Sequence, residues 1–224
     1  MPQFTVEFGK DGPPPEDGRL DAAAFHRNHA AIAAALDEFL QGRSGNVLEV
    51  GSGTGQHAVA YASRWPAITW WPTDVNDNHL RSVAAWRVRT KLDNVKTPVR
   101  LDASQNEWRL PALGLPSSFI AIFCANVVHI SPWAVAEGLF DGAARHLAAD
   151  GRLFLYGPFK RDGQHNAPSN AAFDDSLRRQ NPEWGVRDVA DLQALAAANQ
   201  LRLAEMSEMP SNNAILTFAR INPA

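Results

Sequence analysis

Residues 47–57 read V-L-E-V-G-S-G-T-G-Q-H: a short apolar run that ends on an acid and breaks into alternating glycines, Gly51, Gly53 and Gly55. No other stretch constrains the fold as tightly. An apolar strand that gives way to glycine and then to a helix-compatible segment, 58–64, lets backbone pass close to a ligand at the carboxyl end of a strand. The start of the following helix adds unpaired N–H groups there. A dinucleotide-binding turn needs glycines spaced G-x-G-x-x-G. That spacing would place the third glycine at position 56, which is Gln56; it falls one residue early, at Gly55.

The rest of the chain repeats the strand-then-helix rhythm. A helix is expected from Asp21, as cap, to Gly42, with Phe25, Ile32, Leu36 and Phe39 on one stripe. Strands are expected at 47–50, 67–74, 95–101, 119–125 and 152–156, with helices at 58–64, 79–91 and from Pro132 onward. Pro98 inside the third strand predicts an edge position, because proline cannot donate to a central ladder. A helix at 188–199 and strands at 201–206 and 213–220 close the chain. The last two strands have no room for a crossover helix and so pair antiparallel or lie apart. This order predicts an α/β fold with helices on both faces of a mostly parallel sheet. Residues 1–20, rich in Gly and Pro, read as an extended arm, and 21–224 as one domain. The polar segment within 157–187 reads as a lid-like insertion anchored by Phe173, Leu177 and Trp184.

Lys and Arg number 21 against 24 Asp and Glu, a formal charge of −3. Without a basic run, nucleic acid and anionic membrane are not the expected partners. The single cysteine, Cys124, lies in an apolar run and reads as a buried small hydrophobe. With no signal-type or membrane-length segment, the expected location is the cytoplasm. The seven histidines have no Cys partner and no H-x-x-x-H pair on one helix, so no metal is expected.

In open α/β sheets the ligand sits beyond the carboxyl ends of the strands. The first strand brings Glu49, Gly51, Ser52, Gly53 and Gly55 there, followed by Gln56 and His57. The second brings Asp74 and Val75, an acid suited to ribose hydroxyls. The third brings Asp102 and Ala103, suited to an adenine amino group and ring edge. The fourth brings Asn126 and Val127 to that ligand or to substrate, and the fifth Tyr156. His129 has two readings, a general base or an orienting, helix-capping histidine. Tyr156 either shapes the substrate side or packs under the lid. Arg27 and Asn28, on the first helix, are candidates for a carboxylate of the ligand or for substrate.

The pattern E-x-G-x-G-x-G at 49–55 resembles motif I of class I S-adenosylmethionine-dependent methyltransferases. Further runs carry a more specific likeness: LEVGSGTGQHAVAYA, WPTDVN, CANVVHISPW, LYGPF, SNAAFDDSLRRQNPEWGVRD and MPSNNAILTFAR. Together they are similar to the methyltransferase-like protein 26 family, long catalogued as a domain of unknown function. The resemblance extends from about residue 25 to 220. It implies a Rossmann-like class I methyltransferase fold, with a seven-stranded, mostly parallel sheet and an antiparallel last strand. It also implies use of S-adenosylmethionine, with S-adenosylhomocysteine as product.

The expected reaction is therefore methyl transfer to an O, N or S nucleophile on a small molecule. Alignment of donor and acceptor in a dry site would supply most of the rate. Two alternatives stand beside it: a non-catalytic S-adenosylmethionine-binding interaction protein, and an NAD(P)-dependent oxidoreductase. Oligomeric state is not legible.

Overall fold

The computed structural model describes residues 16–221. Residues 1–15 of the expected arm lie outside that range. Residues 19 and 20 rest on the third helix: the Leu20 N–H donates to Ser82 Oγ at 2.8 Å, and Arg19 stacks over Trp86.

The elements run α1 (Ala23–Leu40), β1 (Gly45–Val50), α2 (Gln56–Arg64), β2 (Ile68–Asp74), α3 (Asp77–Thr90), β3 (Val99–Arg100) and β4 (Phe119–Ala125). They continue through α4 (Trp133–His146), β5 (Leu147–Gly157), β6 (Lys160–Arg161), β7 (Gln164–His165), α5 (Pro168–Gln180), α6 (Val189–Ala198), β8 (Leu201–Met209) and β9 (Asn213–Arg220). Seven strands form one sheet in the order β3-β2-β1-β4-β5-β9-β8. The first five pair in parallel, and β9 runs antiparallel to both β5 and β8. This is the Rossmann-like methyltransferase sheet. As Pro98 required, β3 is the edge.

The central strands β1, β4, β5 and β9 are apolar on both faces, so alternate residues feed two cores. Leu48, Ile122, Leu153 and Leu216 face one, against Leu139 and Phe140 of α4 and Leu192 of α6. Val47, Phe123, Phe154 and Ile215 face the other, against Ile32 and Leu36 of α1 and Tyr61 of α2. With both faces covered, only the strand tips remain for a ligand. Among the described residues, no helix is long and apolar enough to cross a membrane.

Four local expectations need correction. The first helix is not capped by Asp21. Its N-cap is Ala22, with no side-chain cap, while Asp21 Oδ1 accepts from Gln56 Nε2 at 2.6 Å. The third strand shrinks to two residues plus an isolated bridge between Trp70 and Val95, because Pro98 interrupts the ladder. The third helix starts at Asp77, where Asn76 Oδ1 accepts the Asn78 N–H at 2.8 Å. Residues 157–187, to which the sequence pattern assigns no strand or helix, carry the β6–β7 hairpin and the 13-residue helix α5, opened by Pro168 in its first turn.

Candidate active site

A cleft of about 820 Å³ opens where β1, β2, β4 and β5 end. Its floor is the glycine turn after β1. The Ser52 N–H donates to the Thr73 carbonyl at 2.8 Å, and the Gly53 N–H donates to Asp74 Oδ2 at 2.8 Å. Gly51 sits at φ 73°, and a Cβ there would lie 2.4 Å from Val127 Cγ2. Only glycine lets the tips of β1 and β4 approach this closely.

Three carboxylates stand at successive tips. Glu49 is buried; its Oε2 accepts from Trp70 Nε1 at 2.9 Å, and burial pushes its carboxyl up to about 7. Asp74 uses its second oxygen, Oδ1, for the Asn76 N–H at 2.9 Å, with His79 Nδ1 at 3.2 Å. Asp102 folds back on its own turn, accepting from the Ser104 N–H at 3.0 Å. Val75 and Ala103 line the cleft beside them.

At the tip of β4, Asn126 adopts a left-handed backbone at φ 62°. Its N–H donates to the Tyr156 carbonyl at 2.7 Å, which locks the β4 and β5 tips together. Asn126, Val127 and Tyr156 all face the cleft. Burial raises the Tyr156 phenol, against the opposing pull of hydrogen bonds to Asn28 and Asn213. Asn28 is buried, and its Oδ1 lies 2.9 Å from His57 Nε2. Burial pushes His57 down to about 3 and keeps it neutral. Arg27 is exposed at the cleft, one residue away.

Three expected site residues do not line this cleft. Gly55 is the N-cap of α2, at φ 85°, with Val83 of α3 packed where a Cβ would go. Gln56 is buried and structural: its Oε1 accepts from the Ala22 N–H at 2.8 Å and from Thr54 Oγ1 at 2.9 Å. It pins the start of α1 to the glycine turn. His129 lies behind the tips at 0% exposure. Its Nδ1 accepts the Arg187 N–H at 3.3 Å, its carbonyl accepts the Gly185 N–H at 2.9 Å, and Phe159 meets it edge-on. Burial and the adjacent Arg187 cation push it down to about 3. The His129 ring does not line the cleft, and its Nδ1 is taken by the Arg187 N–H.

The far wall was only partly foreseen. Asn170, Phe173, Leu177 and Gln180 of α5, with Trp184, face the strand tips, and 210–213 completes the rim. The Asn212 carbonyl accepts from Asn170 Nδ2 at 2.8 Å and from Asn166 Nδ2 at 3.1 Å, tying α5 to that rim. His79, Asn76 and Ile130 also line the cleft without having been singled out. Asn76 and His79 carry a signal, since they follow the acid at the tip of β2. Ile130 carries none. Among the described residues, no three of His, Cys, Asp and Glu gather as a metal site.

Sheet order and cleft define a class I methyltransferase-type α/β domain. Similar solved structures include mitomycin 7-O-methyltransferase MmcR, with TM-score 0.71, 14% identity, 88% of this chain covered and 54% of that one. NcsB1, an O-methyltransferase from neocarzinostatin biosynthesis in complex with S-adenosylmethionine and 2-hydroxy-5-methyl naphthoic acid, is similar at TM-score 0.69 and 18% identity, covering 88% and 54%. An O-methyltransferase family 2 protein from Planctomyces limnophilus, in complex with apigenin, is similar at TM-score 0.70 and 16% identity, covering 86% and 56%. The chain spans a little over half the length of these proteins. At such identities the likeness shows the fold. The chain itself belongs to the family described as protein of unknown function (DUF938), which matches residues 19–220.

Proposed function

We propose that this chain is an S-adenosylmethionine-dependent methyltransferase acting on an O, N or S nucleophile of a small molecule. The observation that carries the reading is the set Glu49, Asp74 and Asp102 around the Gly51–Gly53 turn, all in one cleft. The residue chemistry fits such a donor. Asp74 and Asp102 offer oxygens to ribose hydroxyls and an adenine amino group, Glu49 offers a carboxyl near cationic groups, and Arg27 offers a guanidinium to a carboxylate. When bound, S-adenosylmethionine supplies a methyl group on a sulfonium, an electrophile that needs little acid–base help. The chain's part is then to orient and to exclude water: the glycine turn seats one end, Asn126 and Tyr156 border the reacting centre, and residues 157–187 cover it as a lid. The resemblance to the methyltransferase-like protein 26 family supports the same reading.

The test is calorimetric titration with S-adenosylhomocysteine beside NAD and ATP, followed by labelled methyl transfer into a metabolite extract. Tight NAD binding without S-adenosylhomocysteine binding would overturn the proposal. Donor binding without transfer to any extract component would instead favour a non-catalytic donor-binding protein.

A further inference from the structure

The cleft separates charge from apolar surface. Its carboxylates all stand at the tips of β1 to β3, on the donor side. The opposite half, formed by α5, Trp184 and residues 210–213, contributes Phe173, Leu177, Trp184 and Pro210 together with Ser and carboxamide side chains, and no Asp, Glu, Lys or Arg. Among the described residues, a charged group entering this half would meet no ionic side chain on the wall itself; the Arg27 cation, whose field reaches Tyr156, lies outside it. Phe173 stands 38% exposed on α5 where it faces the cleft, an apolar ring left for a ligand to cover. Ser211 and Asn212 hold left-handed backbones at φ 61° and 59° on the rim, strain of the kind that clusters at ligand clamps.

From this segregation we infer that the α5 half of the cleft takes a flat, uncharged ring compound whose methyl-accepting atom is an acidic hydroxyl or thiol. The inference rests on the methyl-donor reading above. An aromatic ring stacks against Phe173 and Trp184, while Gln180 presents a neutral carboxamide to its polar substituents and Asn170, whose Nδ2 is taken by Asn166 and Asn212, presents only its Oδ1. The acidity requirement follows from the lack, among the described residues, of a fitting base on this wall. His129 is behind the strand tips with Nδ1 occupied by the Arg187 N–H. His57 is held on Asn28, on the other side of the cleft, and is pushed to about 3. A phenol or aryl thiol releases its own proton to solvent at the open rim, whereas an aliphatic alcohol does not. The resulting anion has the positive sulfonium of the donor as its counter-charge, and it forms its bond to the methyl carbon as the carbon–sulfur bond of the donor breaks. That electron pair stays on sulfur, giving a neutral thioether, a methylated ring compound and one proton in solution.

The test uses full-length protein saturated with S-adenosylhomocysteine and reads ligand-observed NMR for 2-naphthol, thiophenol, cyclohexanol, hexylamine and succinate. Labelled transfer from S-adenosylmethionine to the same compounds runs in parallel. Naphthol and thiophenol are expected to bind and to take label. Phe173→Asp should weaken naphthol binding tenfold or more, Phe173→Leu less, and both should keep wild-type melting and S-adenosylhomocysteine affinity. Preferred binding or labelling of hexylamine, succinate or cyclohexanol overturns the inference. So does naphthol binding that is absent in the wild type or untouched by Phe173→Asp. Failure of S-adenosylhomocysteine to bind sinks the donor reading instead, and naphthol binding to the protein alone still reports on the α5 wall.

Discussion

The Asp74 carboxylate accepts the Gly53 N–H at 2.8 Å through one oxygen and the Asn76 N–H at 2.9 Å through the other. The acid at the tip of β2 therefore shapes the glycine turn at the tip of β1 as well as facing the cleft. Losing it removes two charge-assisted hydrogen bonds from buried amides, roughly 1–3 kcal/mol each by general experience. Asp74→Ala should lower S-adenosylhomocysteine affinity about 10- to 100-fold on the proposed function. Asp74→Asn, which keeps one acceptor oxygen, should fall between. Calorimetric titration of the three proteins checks the order, and wild-type affinity in Asp74→Ala would remove Asp74 from the donor site.

Gly51 and Val127 make a second pair. A methyl group on residue 51 would meet Val127 Cγ2 at 2.4 Å, at a backbone φ of 73° that side chains rarely adopt. Gly51→Ala should cost about 1–3 kcal/mol in urea unfolding, combining backbone strain with overpacking. Adding Val127→Ala should return only the packing part, because the strain at φ 73° stays. Full recovery in the double variant would show that backbone strain contributes nothing.

The strand order and half of the cleft were legible because their signals are local. Apolar four- to seven-residue runs that end in Glu49 or Asp74 mark strands buried on both faces with polar tips, and Pro98 marks an edge. Of the far wall the anchors Phe173, Leu177 and Trp184 were legible but the helix was not, because α5 buries Asn170, Asp174 and Leu177, a stripe that is two-thirds polar and so gives no hydrophobic period. Gln56 and His129 looked functional from their places beside a glycine turn and a strand tip. Their partners, Ala22 and Asp21 for one, Gly185 and Arg187 for the other, lie 34–58 residues away or on a distant loop. Which polar residues are structural depends on such distant partners, and sequence spacing does not reveal them.

Asp174 gives α5 a testable fastening. Its side chain is 6% exposed and meets Lys160 Nζ at 2.7 Å, Arg178 Nε at 3.1 Å and the Val186 N–H at 2.8 Å. Burial alone would raise its carboxyl; the Lys160 ammonium and the Val186 amide hold it below the usual carboxylate range. Removing one partner of a buried pair leaves the other charge uncompensated. Lys160→Met should therefore speed amide hydrogen exchange in α5 while S-adenosylhomocysteine affinity stays within about twofold, if α5 serves the acceptor side alone. Unchanged exchange in α5 would mean that the Val186 and His165 contacts to Asp174, with the Asn170–Asn212 clasp, hold it without Lys160.

Two buried groups should shape the acid side of the stability profile in opposite directions. His129 has its folded pKa depressed from 6.5 to about 3, so the unfolded chain takes up a proton that the folded chain refuses. Its contribution is full above pH 6.5 and is lost as pH falls toward 3. Glu49 is raised from 4.5 to about 7, so its contribution is full below pH 4.5 and is lost as pH rises through 7. Near pH 5.5 the two slopes oppose each other, one proton against one, while His57 adds to the histidine side with less weight because it opens to the cleft. Glu49→Gln should steepen the loss of stability on acidification there by up to about 1.4 kcal/mol per pH unit. His129→Gln should flatten it by a similar amount. Urea unfolding at pH 5, 5.5, 6 and 7.5 reads both slopes. A His129→Gln slope equal to wild type would mean that His129 is already protonated in the folded protein, despite Arg187 beside it.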